Sequence, residues 1–301
     1  MADRVSLCTT LKQLLQRRAA TVIPGAANAL SARVIADLGF PAVYVTGAGV
    51  TNMNLGLPDL GLITLSELAD QVAAIRDVVE LPLIVDGDTG FGNPVNTVRT
   101  IRVLERSGAN GIQIEDQIFP KKCGHFEGKG VIPADEMVQK IRAAVDTRRD
   151  PDFQIIARTD ARASEGLDAA IDRAQAYIEA GADVTFVEAP VGIGELERIA
   201  SQLAVPQVVN LVFGGKTPLV PQRELERMGF GMVLYANAAL QGAVWGMQNV
   251  LGALRRDGDL TRVKDQLASV SERQRLVGKP EQDALERRYV TDVAPSQQAG
   301  D

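Results

Sequence analysis

Cysteine and histidine are nearly absent from this chain. The two cysteines, Cys8 and Cys123, cannot build a disulfide framework and lack the paired spacing of a structural zinc site. With a single histidine, His125, the further ligands that zinc would require are missing as well. No window approaches the roughly 20 consecutive apolar residues of a membrane span. The first twenty residues carry cations without the continuous apolar core or small-residue cleavage site of a leader peptide. A cytoplasmic protein with no membrane partner is therefore expected. There is no basic field either: the formal net charge is -6 and Lys and Arg are dispersed rather than gathered into a stripe, so nucleic acid is not an expected partner. No dinucleotide fingerprint opens a helix after the first apolar run, and no repeat or low-complexity segment breaks the pattern.

What the chain does have is alternation. Eight short apolar runs, rich in Val and Ile, read as strands buried on both faces: 21–25, 42–46, 83–88, 111–116, 154–160, 184–189, 207–212 and 232–236. Helical patterns separate them at 29–38, 65–78, 96–107, 134–146, 167–180, 194–201 and 221–228, and Gly39, Gly108, Gly181 and Gly229 fit the left-handed cap that ends several of them. Eight strands alternating with helices predict an α/β fold, a (β/α)8 barrel of the TIM type, in one domain covering 1–301. The barrel would run from about 20 to 256. Helices at 240–256, 260–276 and 281–288 exceed what the barrel needs, and surplus C-terminal helix of this kind is an expected subunit contact.

Such a barrel carries its chemistry on the loops at the C-terminal ends of its strands. Two of these, 47–64 and 117–133, are long, glycine- and proline-bearing stretches suited to lids or binding loops. The third strand ends in Asp86-Gly87-Asp88, whose two acids, two positions apart, would share a strand face and repel each other unless a cation sat between them. With Glu115 at the fourth tip and Asp59 in the loop after the second, an all-oxygen site suits Mg2+, or Mn2+, better than zinc. One direct carboxylate, Asp86, is expected, the other acids holding water ligands. For Asp59 a plain loop role is as good a reading.

Arg158, at the fifth tip, can clamp a carboxylate with two parallel hydrogen bonds, which implies an anionic substrate, or it can pair with a barrel acid such as Glu188 at the sixth. The second strand leads into Thr46-Gly47-Ala48, a turn whose N–H groups could hold an oxyanion, or simply a tight turn. Tyr44 shares the face of Thr46, so its hydroxyl either reaches the substrate or packs in the core. Cys123 and His125 lie in a loop with Lys121, Lys122 and Lys129 as neighbours. Nearby cations lower a thiol's pKa from about 8.5 toward neutrality and make it a usable proton donor. A hard dication, an arginine, an oxyanion nest and a mobile acid together suit the formation and protonation of an enolate.

The motifs Lys121-Lys122-Cys123-Gly124-His125, Val85-Asp86-Gly87-Asp88-Thr89-Gly90-Phe91-Gly92, Ile114-Glu115-Asp116-Gln117, Ala157-Arg158-Thr159-Asp160 and Val187-Glu188-Ala189-Pro190 resemble those of the isocitrate lyase and phosphoenolpyruvate mutase superfamily, over nearly the whole chain. The resemblance implies a Mg2+-dependent modified barrel, a homotetramer that exchanges a helix between subunits, with Asp86 on the metal and Asp59, Asp88 and Glu115 on its waters. It further implies Cys123 as general acid, and Arg158, Gly124, His125, Asn210 and the turn Thr46, Gly47 and Ala48 as carboxylate-binding groups. The base could be Tyr44, Glu188 or a water.

Within the lyase branch, Phe119-Pro120 before the cysteine loop and the stretch Gly214-Gly215-Lys216-Thr217 are most similar to the subgroup of dimethylmalate lyases and plant petal death proteins. Methylisocitrate lyases are close behind, and their third substrate carboxylate would call for another partner such as Lys216. The implied reaction is cleavage of a C–C bond in a 2-hydroxydicarboxylate of the 2-alkylmalate type to a 2-oxo acid and a carboxylate. The alternatives are methylisocitrate cleavage, oxaloacetate hydrolysis or decarboxylation, phosphonopyruvate-type chemistry, or carboxylate binding without catalysis.

Overall fold

In a computed structural model of the chain, which describes residues 6–122, 124, 128 and 130–290, eight parallel strands close into a barrel in sequence order. They are β1 (Thr21–Ala26), β2 (Val43–Val45), β3 (Leu83–Asp86), β4 (Gly111–Glu115), β5 (Gln154–Thr159), β6 (Val184–Val187), β7 (Gln207–Asn210) and β8 (Met232–Tyr235). The barrel closes where Thr21 to Pro24 of β1 pair with Met232 to Tyr235 of β8. All eight predicted strands are present, and β3 and β4 are buried from end to end, as parallel strands sealed on both faces must be. The helices are α1 (Leu7–Gln16), α2 (Ala29–Asp37), α3 (Gly47–Leu55), α4 (Leu65–Arg76), α5 (Pro94–Arg106), α6 (Ala134–Thr147), α7 (Ala161–Ser164), α8 (Leu167–Glu179), α9 (Ile193–Gln202), α10 (Gln222–Met228), α11 (Ala238–Asp257), α12 (Val270–Leu276) and α13 (Lys279–Tyr289).

The barrel is filled by Ile23, Tyr44, Ile84, Ile156, Phe186, Val208, Met232 and Leu234. Leu11 and Leu15 of α1 join the same cluster. A β-carbon on Gly111, the first residue of β4, would stand 3.2 Å from Leu11 Cδ2, so α1 closes the end of the barrel where the strands begin. That leaves the opposite end, where the strands finish, as the open mouth.

Three readings of the sequence need correction. The stretch after β2 is not all loop, because α3 occupies its first half: Thr46 Oγ1 caps the helix by accepting from Gly49 N–H, and Thr51 Oγ1 donates to the Gly47 carbonyl. The segment Leu260–Leu276 is not one helix but a 3-10 turn, Thr261–Gln266, followed by α12. The N-terminal stretch, for which the sequence pattern predicts no helix, holds α1.

The chain divides into two compact units, Met1–Trp245 and Gly246–Asp301. The first contains the barrel. In the second, Ala253 and Val263 are buried while α12 and α13 bury nothing. Among the described residues no helix is long and apolar enough to cross a membrane.

Candidate active site

Tyr44, Asp86, Arg158, Glu188 and Asn210, at or next to the ends of β2, β3, β5, β6 and β7, line one small cavity, and the barrel register fixes which neighbours meet. Glu115 pairs with Arg158 across β4 and β5, so the acid and the guanidinium approach to 3.3 Å. Arg158 is buried and already gripped. Its Nε and Nη2 donate to the two carboxylate oxygens of Asp160 at 2.9 and 3.0 Å, its Nη2 lies 3.5 Å from Glu188, and its charge rests 5.3 Å above the Phe186 ring. Burial alone would pull its pKa down, but Asp160, Glu115 and Glu188 outweigh it and hold the group firmly charged. The pairing with a barrel acid is what the structure shows, with Asp160, not Glu188, as the bidentate partner. Asp160 is a site residue that the sequence reading did not single out.

The acidic side is built differently. Asp86 ends β3, but Asp88 lies beyond it with a left-handed backbone, φ 48°, so the two acids do not share a strand face. The turn brings them together instead: a β-carbon on Gly47 would meet Asp86 Oδ2 at 3.2 Å and Asp88 Oδ1 at 3.3 Å. Gly47 N–H donates to Asp86 Oδ2 at 3.3 Å, so the expected oxyanion turn is the start of α3 and spends one N–H on a carboxylate. Asp59 joins the group through a residue that the sequence reading treated only as a neighbour of the cysteine. The buried Lys121 ammonium lies 2.5 Å from Asp59 and 2.8 Å from Asp88. Burial pulls its pKa down, and Asp88, Glu115, Asp86 and Asp59 reverse that. Asp88 is pushed up to about 7, by burial first and by Asp86 and Asp59 next, against the pull of Lys121.

Tyr44 is a packed core residue and a site residue together. Its hydroxyl donates to Gln113 Oε1 at 2.9 Å, and Gln113 Nε2 reaches Asp86 Oδ1 at 3.4 Å. Burial, reinforced by Asp86, raises its pKa well above the ordinary tyrosine value. Between the two halves lies a small cavity of about 30 Å3 whose lining includes Thr46, Ala48, Asp59, Asp86, Gly124 and Asn210, together with Tyr44, Arg158 and Glu188. Gly124 must be glycine here, since a β-carbon would fall 2.5 Å from Arg158 Nη2 and 2.6 Å from Glu188 Cδ. Lys216 is exposed and is not part of that lining. Cys123 and His125 lie outside the described residues.

The donor set suits a hard cation. Glu115 Oε1 and Asn210 Oδ1 are buried oxygens without a hydrogen-bond partner in the described structure, and the cluster offers only oxygen atoms. Among the described residues no three acidic, His or Cys side chains are drawn close enough to ligate one ion directly.

Residues 11–255 match the phosphoenolpyruvate phosphomutase family. The chain is 44% identical to the 2,3-dimethylmalate lyase of Eubacterium barkeri over 93% of its own length and 97% of that protein's. That settles the family. The chain belongs to the phosphoenolpyruvate mutase/isocitrate lyase superfamily. It is also 42% identical to the petal death protein of Dianthus caryophyllus, over 89% of this chain and 85% of that one. Among solved structures, a 2,3-dimethylmalate lyase superposes with a TM-score of 0.89 at 34% identity, covering 99% of both chains. An oxaloacetate acetylhydrolase bound to 3,3-difluorooxalacetate superposes with a TM-score of 0.86 at 38% identity, covering 94% of this chain and 96% of that one. The superfamily resemblance and the TIM-type barrel read from the sequence are both borne out.

Proposed function

We propose that this chain is a Mg2+-dependent lyase that cleaves a C–C bond of a 2-hydroxydicarboxylate of the 2-alkylmalate type, releasing a 2-oxo acid such as pyruvate and a carboxylate. The observation that carries the proposal is the meeting, in one barrel mouth, of an acid basin with a pre-oriented guanidinium: Asp59 and Asp86 line one small cavity with Arg158, Lys121 ties Asp88 to Asp59, and Glu115 contacts Arg158 directly. The lyase class is supported by relatives that bear that name at 42–44% identity, 2,3-dimethylmalate lyase and 2-methylisocitrate lyase, and the metal by a superfamily neighbour solved with oxalate and Mg2+.

In this reading Asp86 would hold the ion directly and Asp59, Asp88 and Glu115 would hold it through water. The ion, when bound, supplies Lewis acidity toward the oxygens of the 2-hydroxy acid. Arg158 binds a substrate carboxylate, and Asp160 keeps its fork in place. Thr46, Ala48, Gly124, His125 and Asn210 complete the binding surface. Glu188 takes the proton of the 2-hydroxyl as the C–C bond breaks. Tyr44 is the poorer base, because burial keeps its hydroxyl protonated and Gln113 accepts from it; it orients Asp86 through Gln113. The departing carboxylate fragment leaves as an enediolate and takes its proton from Cys123.

An alkyl substituent suits the apolar wall of Phe186, Leu234 and Ala236, and Arg158 is the one cation lining the cavity among the described residues. Among the described residues a third carboxylate would find no second cation in that lining, which supports an alkylmalate over a methylisocitrate. We further propose assembly as a homotetramer through the C-terminal helices: Val244, Met247, Leu251 and Leu254 form an exposed apolar stripe at helical spacing on α11.

The test is purified protein with Mg2+ assayed against malate, 2,3-dimethylmalate, methylisocitrate, isocitrate and oxaloacetate, with 2-oxo acid and oxalate both quantified. Release of 2-oxo acid from the alkylmalate above the others is expected. Oxalate and acetate from oxaloacetate alone would make the protein a hydrolase, and binding of oxalate with no product from any substrate would make it a carboxylate-binding protein.

A further inference from the structure

The acid basin already contains a cation of its own. Lys121 is 3% exposed, its ammonium touches Asp59 and Asp88, and it comes from the root of the loop that carries Cys123. Among the described residues that root is otherwise hydrogen-bonded to itself and to nearby loops. The Gln117 side chain accepts from Lys122 N–H at 2.9 Å and donates to the Lys122 carbonyl at 2.8 Å, closing residues 117–122 into a ring. Ile118 N–H donates to the Gly130 carbonyl, and Phe119 packs against Gly61 in the stretch that carries Asp59. Lys121 is therefore the described link between the loop root and the carboxylates at the tip of β3.

Resting on the proposed metal site, we propose that Lys121 and the divalent ion are rival cations for the same carboxylate oxygens: the ammonium holds Asp59 and Asp88 until the metal loads, and loading loosens that hold and with it the root of the loop. A dication brought beside a fixed ammonium in a buried basin meets repulsion that water does not screen, whereas the acids attract both. The oxygens that Lys121 occupies belong to two of the acids proposed to carry the ion's waters. Glu115 Oε1 is buried without a hydrogen-bond partner in the described structure and offers the arriving ion an acceptor that Lys121 has not claimed. The rivalry gives the chain a way to hold Asp59 and Asp88 together without the ion and to release residues 117–122 only once the ion is present. Lys121 thereby acts as a positioning residue.

The test is a Mg2+ titration by calorimetry of the full-length protein and of Lys121→Met, which keeps the length of the side chain and removes its charge. Binding at least tenfold tighter in Lys121→Met is expected. A lysine that served only to hold the acids in shape would give weaker binding when lost, and unchanged or weaker binding overturns the rivalry. Should Lys121→Met fail to fold, hydrogen exchange of the peptide spanning 117–122 in the unmodified protein decides the matter. Faster exchange on adding Mg2+ supports the proposal, and unchanged or slower exchange overturns it. Absence of any Mg2+ binding by the unmodified protein would instead strike the proposed metal site itself.

Discussion

The two halves of the barrel mouth solve opposite problems. On the β2 to β4 side, one ammonium from a loop contacts Asp59 and Asp88 and feels the charges of Asp86 and Glu115, so negative charge is in excess. On the β5 to β7 side, one guanidinium is gripped by Asp160 and flanked by Glu188, with Glu115 reaching it from β4, all on strands or their immediate ends, so its orientation is fixed by the barrel itself. The acid half is an incomplete electrostatic arrangement that a dication would complete. The arginine half is already complete, and a substrate carboxylate must displace the weaker contacts to Glu115 and Glu188 while Asp160 stays. The lesson is that metal affinity and substrate affinity should respond to different substitutions.

The largest expected effect crosses both halves. Cys123→Ser should lower turnover by about 10²- to 10⁴-fold while Mg2+ and pyruvate binding, measured by calorimetry, stay close to those of the unmodified protein. Loss of binding in step with turnover would make the cysteine structural. Next, Arg158→Lys should cost on the order of 10²-fold in kcat/KM, mostly through KM, because an ammonium cannot reproduce the fork that Asp160 orients. Its Mg2+ affinity should not change, and a parallel loss there would erase the distinction between the halves. Asp59→Asn should do the converse, weakening Mg2+ about 10- to 100-fold as an outer partner of the ion, with KM at saturating metal little altered.

The pH dependence sharpens the same contrast. The protonated form of Asp88 is favoured by burial up to about pH 7, so Mg2+ should bind more weakly as pH falls through that value. The sign for stability is opposite: a carboxyl whose folded pKa is raised stabilises the metal-free fold at low pH, and that contribution disappears as pH rises from its ordinary range toward 7. Metal-free melting temperature should therefore decline over this window while metal affinity climbs, and Asp88→Asn should flatten both trends.

The smallest effect lies behind the arginine half. Tyr177 on α8 donates to Asp116 Oδ2 at 2.7 Å, and Asp116 Oδ1 accepts from Asp160 N–H at 2.9 Å. Tyr177→Phe should cost about 1 kcal/mol of stability in denaturant melts with a modest rise in KM and no change in Mg2+ affinity.

How much of this was legible in the sequence follows the range of the interactions. The strands were, because Leu83-Ile84-Val85 and Gly111-Ile112-Gln113-Ile114 must be buried on both faces and say so locally. Gly39, Gly108, Gly181 and Gly229 all take the left-handed backbone expected of them, with φ between 81° and 104°. The helix α3 was not, since Gly47-Ala48-Gly49 is poor helix-forming sequence; its support comes from the Thr46 cap and from burial between the tips. The acids and Arg158 were legible as residues at strand ends, but their partners were not. Lys121 meets Asp59 across 62 residues, and only the closed barrel brings Gln113 between Tyr44 and Asp86. Asp160 sits two residues from Arg158, and its role could have been read from that spacing at the end of a strand, had the arginine been asked what holds it.

The most direct test of the whole account is a crystal grown with Mn2+ and oxalate and examined by anomalous diffraction. The account requires one strong peak in the acid basin, about 2.0–2.2 Å from an Asp86 oxygen as a hard octahedral dication demands, with waters leading to Asp59, Asp88 and Glu115 and the oxalate reaching toward Arg158. A peak elsewhere in the molecule, or none at all with oxalate bound at Arg158, would contradict it.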